Sequence, residues 1–208
     1  MDVFRQGKIL MTTSSRTTSS KEAASKSPAG PHGAAPVSPY VIGVLSDTHG
    51  RVYPRVAELL RGVNHIVHAG DVGSAEVLAA LRSIAPVVAV RGNCDFGTWA
   101  DDLPARTELR VAGVPILVAH IAGRPESAAP RVGLELGDGG PRVIVSGHSH
   151  VASLERRGDV LYLNPGSAGP RRFGRPRTVA RIEVVAPRAD VVGDVARVTA
   201  QILTAEGD

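Results

Sequence analysis

The chain has 208 residues, with 24 Lys and Arg against 20 Asp and Glu, a formal net charge of +4, 43% hydrophobic residues and only 3% aromatic ones. This suits one globular domain with an aliphatic core and excludes a chain that is disordered throughout. The net charge marks no basic domain face, because residues 1–38 hold Arg5, Lys8, Arg16, Lys21 and Lys26 against Asp2 and Glu22, which is most of the excess.

Residues 1–38 read as a disordered Ser/Thr/Pro-rich tail and residues 39–208 as the folded domain. Within the tail, positions 12–20 are all Ser or Thr except Arg16, a composition that cannot bury enough surface to offset the entropy of ordering. Met11 stands as an alternative start. The opening residues lack the apolar run of a signal peptide, and no later segment reaches the apolar length of a membrane span, so no membrane association is expected. Cys94 is the only cysteine. It allows no intramolecular disulfide, and a reducing cytoplasm is the expected setting.

Order begins near Tyr40. The apolar run 41–47 predicts a buried strand, and Pro54 then opens a helix with Val56, Leu59, Leu60 and Val63 at three- and four-residue spacing, stopped by Gly62 and Asn64. A strand over 65–71 follows. Ser74 is placed to cap a helix through Leu81, with Glu76 in its first turn, and 86–92 is a third strand. This βαβαβ opening implies parallel strands with right-handed crossovers, and it sets Asp47, Asp71 and Asn93 just past three carboxyl ends. Further on, 108–113 and 114–120 predict a hairpin around Gly113, while 142–148, 151–157, 160–166 and 177–185 read as more strands. Residues 121–141 read as a loop or short helix, and 189–204 fits helix or strand equally. Short strands joined by Gly turns predict a second sheet packed on the first, with helices outside.

Metal-capable side chains gather at these strand ends. Asp47 and His49 are two positions apart, so strand alternation would aim both to one side. Asp71 ends the next strand. Asn93 offers an amide oxygen beside Asp95, a carboxylate able to orient a neighbour. His120 closes a further strand, and His148 and His150 form an i, i+2 pair after another. Each motif alone has a bland alternative: a turn aspartate, a turn asparagine, a boundary histidine. Two aspartates, one asparagine and four histidines at converging strand ends do not. His65 and His68 read as structural. Arg91, Arg124, Arg171 and Arg172 are candidates to meet phosphate, with a solvated surface role as the plainer reading.

In this order, SDTHG (46–50), HAGD (68–71), RGNCD (91–95), His120, SGHSH (146–150) and NPGS (164–167) resemble the calcineurin-like metallophosphoesterase superfamily, and in detail its YfcE-like prokaryotic phosphodiesterase branch. The likeness spans about residues 41–184. It implies an α/β fold, a four-layer α/β/β/α sandwich of two packed mixed sheets flanked by helices and preceded by the tail. It also implies a dinuclear site, with Asp47, His49, Asp71 and His150 on one divalent ion and Asp71, Asn93, His120 and His148 on the other. Asn93, Asp95 and His120 are the expected catalytic residues. A hydroxide shared by the two ions would attack a phosphodiester in line. Mixed carboxylate, amide and imidazole donors suit Mn, Fe, Zn, Ni or Co, with Mn the best single match. The expected partner is a small-molecule or nucleotide-type phosphoester. Neither membrane nor nucleic acid is expected, and homo-oligomerisation is left open.

Two positions depart from the wider superfamily. Cys94 stands where many members carry a proton-donating histidine, as in the YfcE-like branch, which favours a diester with a good leaving group. Ile121 follows His120 where glycine is usual, which reshapes that loop. Because the same fold also serves in the retromer complex as a protein-interaction subunit, a non-catalytic scaffold is the alternative reading.

Overall fold

The computed structural model describes residues 38–131, 142–172 and 174–207. The expected tail falls outside them apart from Ser38, as do residues 132–141 of the interrupted segment. Chain order runs β1 (Tyr40–Leu45), α1 (Pro54–Leu59), β2 (His65–His68), α2 (Ala75–Arg82), β3 (Val87–Ala89), α3 (Thr98–Asp101), β4 (Arg106–Val111), β5 (Val114–Ala119), α4 (Pro125–Arg131), β6 (Arg142–Val145), β7 (Ser153–Arg157), β8 (Val160–Asn164), β9 (Arg177–Val185) and β10 (Arg197–Ala205). Among the described residues no helix is long and apolar enough to cross a membrane.

The strands form two five-stranded mixed sheets, β10-β9-β1-β2-β3 and β4-β5-β6-β8-β7. β1 lies between parallel β2 and antiparallel β9, and β6 lies between two parallel neighbours, β5 and β8. Side chains alternate along each strand, so one face of each sheet meets the other sheet and the second face meets helices. Ile42 and Val44 of β1, Ile116 and Val118 of β5, Val143 and Val145 of β6, and Ile182 and Val184 of β9 fill the space between the sheets. On the far side of the first sheet, Leu45 and Ile66 pack with Val56, Leu60, Val77, Leu78 and Leu81 from α1, α2 and the turn after α1. Leu117, Ile144 and Val160 pack with Ala128 of α4 on the far side of the second. The four-layer sandwich expected from the sequence is therefore present, and its core is almost wholly aliphatic. Each fully buried Leu, Ile or Val side chain contributes about 1.5–3 kcal/mol.

Local signals explain most element boundaries. Pro54 occupies the first turn of α1, where its missing N–H is no loss. Ser74 does precede α2, but its side chain makes no capping bond; it turns instead to Glu76, whose carboxyl it holds below the usual range. The β4–β5 hairpin turns through Ala112 and Gly113, both with positive φ, as a tight two-residue turn requires. The ambiguous segment 189–204 resolves as the approach to β10, which pairs with β9 along all nine of its residues.

Candidate metal centre

The predicted strands run too long at the site. β1 ends at Leu45, β2 at His68, β3 at Ala89 and β6 at Val145, so the candidate ligands lie on the loops beyond. Among the described residues, the non-glycine residues with left-handed φ are Asp47, His49, Asp71, Ala112, His148 and His150. Five of these six are candidate ligands. Strand alternation thus does not aim Asp47 and His49, as the sequence pattern suggested; left-handed turns at φ 56° and 47° do. Such a conformation costs roughly 1–2 kcal/mol for an L-residue and persists where surrounding bonds over-determine it.

Those bonds are visible. Beyond the strands, Asp47 N–H donates to the Gly70 carbonyl (3.0 Å), His49 N–H to Asp71 (3.0 Å) and Gly50 N–H to Val72 (2.8 Å), so the β1 and β2 loops travel together. The NPGS segment clasps them: Ser167 Oγ donates to the Asp47 carbonyl at 3.1 Å, and Ala168 N–H to that of Ser46 at 3.0 Å. Asn164 Nδ2 donates to the Gly147 carbonyl at 2.8 Å, fixing the SGHSH loop. Two glycines admit close approach. A Cβ on Gly92 would lie 2.0 Å from Asp71 N, and one on Gly70, at φ 86°, would lie 2.6 Å from His120 Nδ1.

All seven expected ligands come together. Donor atoms of Asp47, His49, Asp71 and His150 lie within 4.8 Å of one another. Beside them, His120 Nε2 stands 3.4 Å from Asp71 Oδ1 and 3.0 Å from Asn93 Oδ1, and His148 Nδ1 stands 2.8 Å from Asn93 Oδ1. Asp71 therefore sits between two donor groups. The electron-pair bookkeeping fits cations. Asp47 Oδ1 is buried with no hydrogen-bond partner, although His150 Nε2 is only 3.2 Å away. Since His120 Nδ1 lies 2.7 Å from the Ala69 carbonyl oxygen, which can only accept, Nδ1 carries the proton and Nε2 presents a lone pair to two oxygens.

The surrounding field suits ligation. Burial, opposed by Asp71 and Asp47, holds the His49 imidazole below its ordinary value. Burial and then Arg172 do the same for His150, keeping both rings neutral, the ligating form. Burial pushes the Asp47 carboxyl up against the Ser46 hydroxyl, which lies 2.5 Å from Oδ2. For Asp71 burial is overridden by the Cys94 N–H and the neighbouring His120, and its carboxyl is held down. A bound cation would hold both carboxylates ionised.

Asp95 is fully buried behind the cluster. Its Oδ1 accepts the Gly73 N–H at 2.8 Å and its Oδ2 the Gly92 N–H at 2.7 Å, so it braces the Asp71 and Asn93 loops rather than facing them with a free oxygen. His68 is also fully buried, 2.9 Å from Thr48 Oγ1 through Nε2, and His65 bonds the Tyr40 hydroxyl; neither belongs to the group formed by Asp47, His49, Asp71 and His150. Of the four arginines, Arg172 is the one whose charge acts on His49, His150 and Cys94. Arg91 is held by the Asp95 carbonyl at 3.1 Å and by Asp101 at 3.7 Å. The sequence reading gave no roles to Ser46, Asn164 and Ser167, although the NPGS motif itself was the signal for the last two. It also missed Tyr53, whose ring lies between Arg51 and buried Arg177 with Arg177 Cζ 3.5 Å from its centroid.

Two sheets with carboxylate, amide and imidazole donors gathered beyond their strand ends define an α/β protein with a candidate metal-binding site. Residues 41–186, more than half of the chain, match the calcineurin-like phosphoesterase superfamily domain, and the chain belongs to that superfamily. It is 34% identical over 151 residues to a probable metallophosphoesterase of Methanothermobacter thermautotrophicus, covering 69% of this chain and 86% of that one. It is 28% identical over 165 residues to the phosphodiesterase YfcE of Escherichia coli, covering 66% and 84%. Among solved structures it resembles Vacuolar Protein Sorting 29 of Cryptosporidium parvum (TM-score 0.61, 18% identity, 80% of this chain and 99% of that one). It resembles the E. coli YfcE structure as well (TM-score 0.53, 23% identity, 80% and 100%). At those identities the structural likeness is one of fold.

Proposed function

We propose that the chain is a phosphodiesterase that works with two divalent metal ions, Asp47, His49, Asp71 and His150 holding one and Asp71, Asn93, His120 and His148 the other. The observation that carries this reading is the position of Asp71 between two donor groups that both present lone pairs. When bound, two such ions acidify water into a nucleophile and screen the phosphoryl oxygens. The donor set suits Mn, Fe, Zn, Ni and Co without choosing among them, and Mn is the ion proposed.

The chain's own residues supply position and charge. The Ala69 carbonyl accepts the His120 Nδ1–H and so fixes the ring with Nε2 facing Asn93 and Asp71, and Asp95 braces the loop that carries Asn93. Arg172 adds positive charge on the His49 and His150 side, where an anionic ester would be drawn. Cys94 follows Asn93, and a thiol is a much weaker acid than an imidazolium, so leaving groups that need little protonation are favoured. That points to activated or acidic diesters over alkyl monoesters. The lone exposed thiol suits a reducing cytoplasm. The alternative, a protein-interaction scaffold, has in its favour the fold likeness to Vacuolar Protein Sorting 29; the full donor set speaks for catalysis.

The test is to strip the protein with a chelator, restore Mn, Zn or Ni singly, and follow bis(p-nitrophenyl) phosphate and p-nitrophenyl phosphate. Hydrolysis should return with metal and be faster on the diester. Rates indifferent to metal would overturn the proposal.

A further inference from the structure

Two cavities are each bordered by residues of the donor cluster, and Ile121 lines both. The first, of about 360 Å³, is bordered by Ile121, Ala122, Pro125 and Val151, with His148 on its wall and Arg124 as its one charged neighbour. The second, of about 310 Å³, is bordered by Arg91, Arg106, Asn93 and His120, and again by Ile121. Ile121, 48% exposed, borders both. His148 borders the first and His120 the second, and these two rings meet edge to face with centroids 5.2 Å apart.

The placement of these lining residues follows from the local sequence. β5 ends at Ala119, whose register partner on β4 is Arg106, so Arg106 is held beside His120 by the sheet itself. The next residue after His120 is a branched aliphatic one. Both volumes lie near the low end of the roughly 300–1,000 Å³ of small-molecule sites, so each has room for a substituent rather than a polymer.

A phosphodiester carries two substituents on one phosphorus, and these two cavities differ in what they accept. The Ile121–Val151 side sets aliphatic Ile121, Ala122, Pro125 and Val151 beside neutral hydroxyls and the Asn164 amide, with Arg124 its one cation, so it suits an uncharged ring that carries neutral polar groups. The other side offers two guanidinium groups. Arg91 is positioned through Nε by the Asp95 carbonyl at 3.1 Å, and its Nη1 stands 3.7 Å from the exposed Asp101 carboxylate; guanidinium pairs well with phosphate or carboxylate.

We propose that the chain selects an unsymmetrical phosphodiester, with an uncharged ring-bearing alcohol on the Ile121–Val151 side and an alcohol bearing an anionic group on the Arg91–Arg106 side. The proposal rests on the phosphodiesterase reading above. Its substrate class is nucleoside-like or aryl on one arm and phosphorylated or carboxylated on the other.

The test uses the metal-loaded full chain and two p-nitrophenyl phosphodiesters that differ only in the second arm, ethyl or 2-carboxyethyl. The wild type should favour the carboxyethyl diester in kcat/KM by about tenfold or more, the equivalent of one good charge-assisted contact. Arg106→Gln should bring that ratio near one, and Arg106→Lys should keep part of it. Val151→Asp should raise KM for both esters, because the shared aryl arm then meets a charge. Equal metal-dependent rates on the two esters, or a ratio that Arg106→Gln leaves intact, would overturn the divided-site inference and leave the phosphodiesterase standing. Absence of metal-dependent hydrolysis of either ester would overturn both.

Discussion

His120 donates its Nδ1–H to the carbonyl oxygen of Ala69 across 2.7 Å, and that single bond turns its other nitrogen toward Asn93 and Asp71. A ligand oriented in this way contributes affinity as well as position. His120→Ala should therefore weaken binding of a divalent ion by at least about a hundredfold, the upper range seen when such orienting groups are lost. Titration calorimetry with Mn or Zn on the stripped protein reads this directly. Two ions bound with unchanged affinity would remove His120 from the ligand set.

Asp95 gives a prediction of a different kind, since it acts on backbone. Replacing it with Ala leaves the Gly73 and Gly92 N–H groups without acceptors, each costing roughly 1–3 kcal/mol. Denaturant unfolding should show about 3 kcal/mol lost, with turnover reduced because Gly92 carries Asn93. Asp95→Asn, which keeps one acceptor oxygen, should lose about half as much. Full stability in Asp95→Ala would mean that the two N–H groups find water instead.

How much of this was legible in the sequence depends on which force decided each element. The β1, β2 and β3 strands and the α1 and α2 helices carry strong periodicity, and the packing agrees with it because Ile42, Val44, Val56 and Leu81 face where their spacing puts them. Strand ends were misread because the residues between the last paired position and the donors, such as Ser46, Ala69 and Val90, fit a strand as well as a loop, although Gly70, Gly92 and Gly147 stand just past three of the breaks. Only the left-handed φ values reveal that the chain has already left the sheet. β10 was unreadable for the opposite reason: in RVTAQILTA the alternation slips at Ile202 and Leu203, and pairing with β9 decides its state. Four-residue α3 has too few positions for any period to register. The ligand residues themselves were legible as a set, because donors of those types at successive strand ends have one chemistry in common.

Cys94 tests whether protonation of the leaving group limits the reaction. Its backbone N–H donates to Asp71 Oδ1 at 2.8 Å, a bond that any non-proline residue keeps, while its side chain is exposed. Cys94→His should thus leave Asp71 in place and add an acid beside the site. General-acid catalysis is worth roughly 10²–10⁴-fold, and even partial alignment should raise turnover of phenyl phosphate about tenfold relative to p-nitrophenyl phosphate. A ratio that stays put would locate the limit elsewhere.

His68 ties acid stability to the loops that carry the candidate metal site. It is fully buried and its Nε2–H donates to Thr48 Oγ1, which in turn donates to the Val72 carbonyl at 2.8 Å; the partner nitrogen, Nδ1, is buried without a partner. Burial pushes its pKa down from 6.5 to about 4. The unfolded imidazole takes up a proton near 6.5 and the folded one only near 4, so between those values the unfolded chain binds more protons and stability falls as pH falls. The contribution is whole above pH 6.5 and has been lost below pH 4, a change of roughly 3 kcal/mol. His68→Gln, which keeps an N–H for Thr48 and cannot titrate, should flatten the pH 4–6.5 slope of unfolding free energy. Chelated protein removes metal-linked protons, and the difference between wild type and His68→Gln separates His68 from His49 and His150, whose imidazoles are also held down. A slope unchanged by His68→Gln would assign the acid sensitivity to His49, His150 and the carboxylates instead, and the Thr48–His68 contact would then be packing alone.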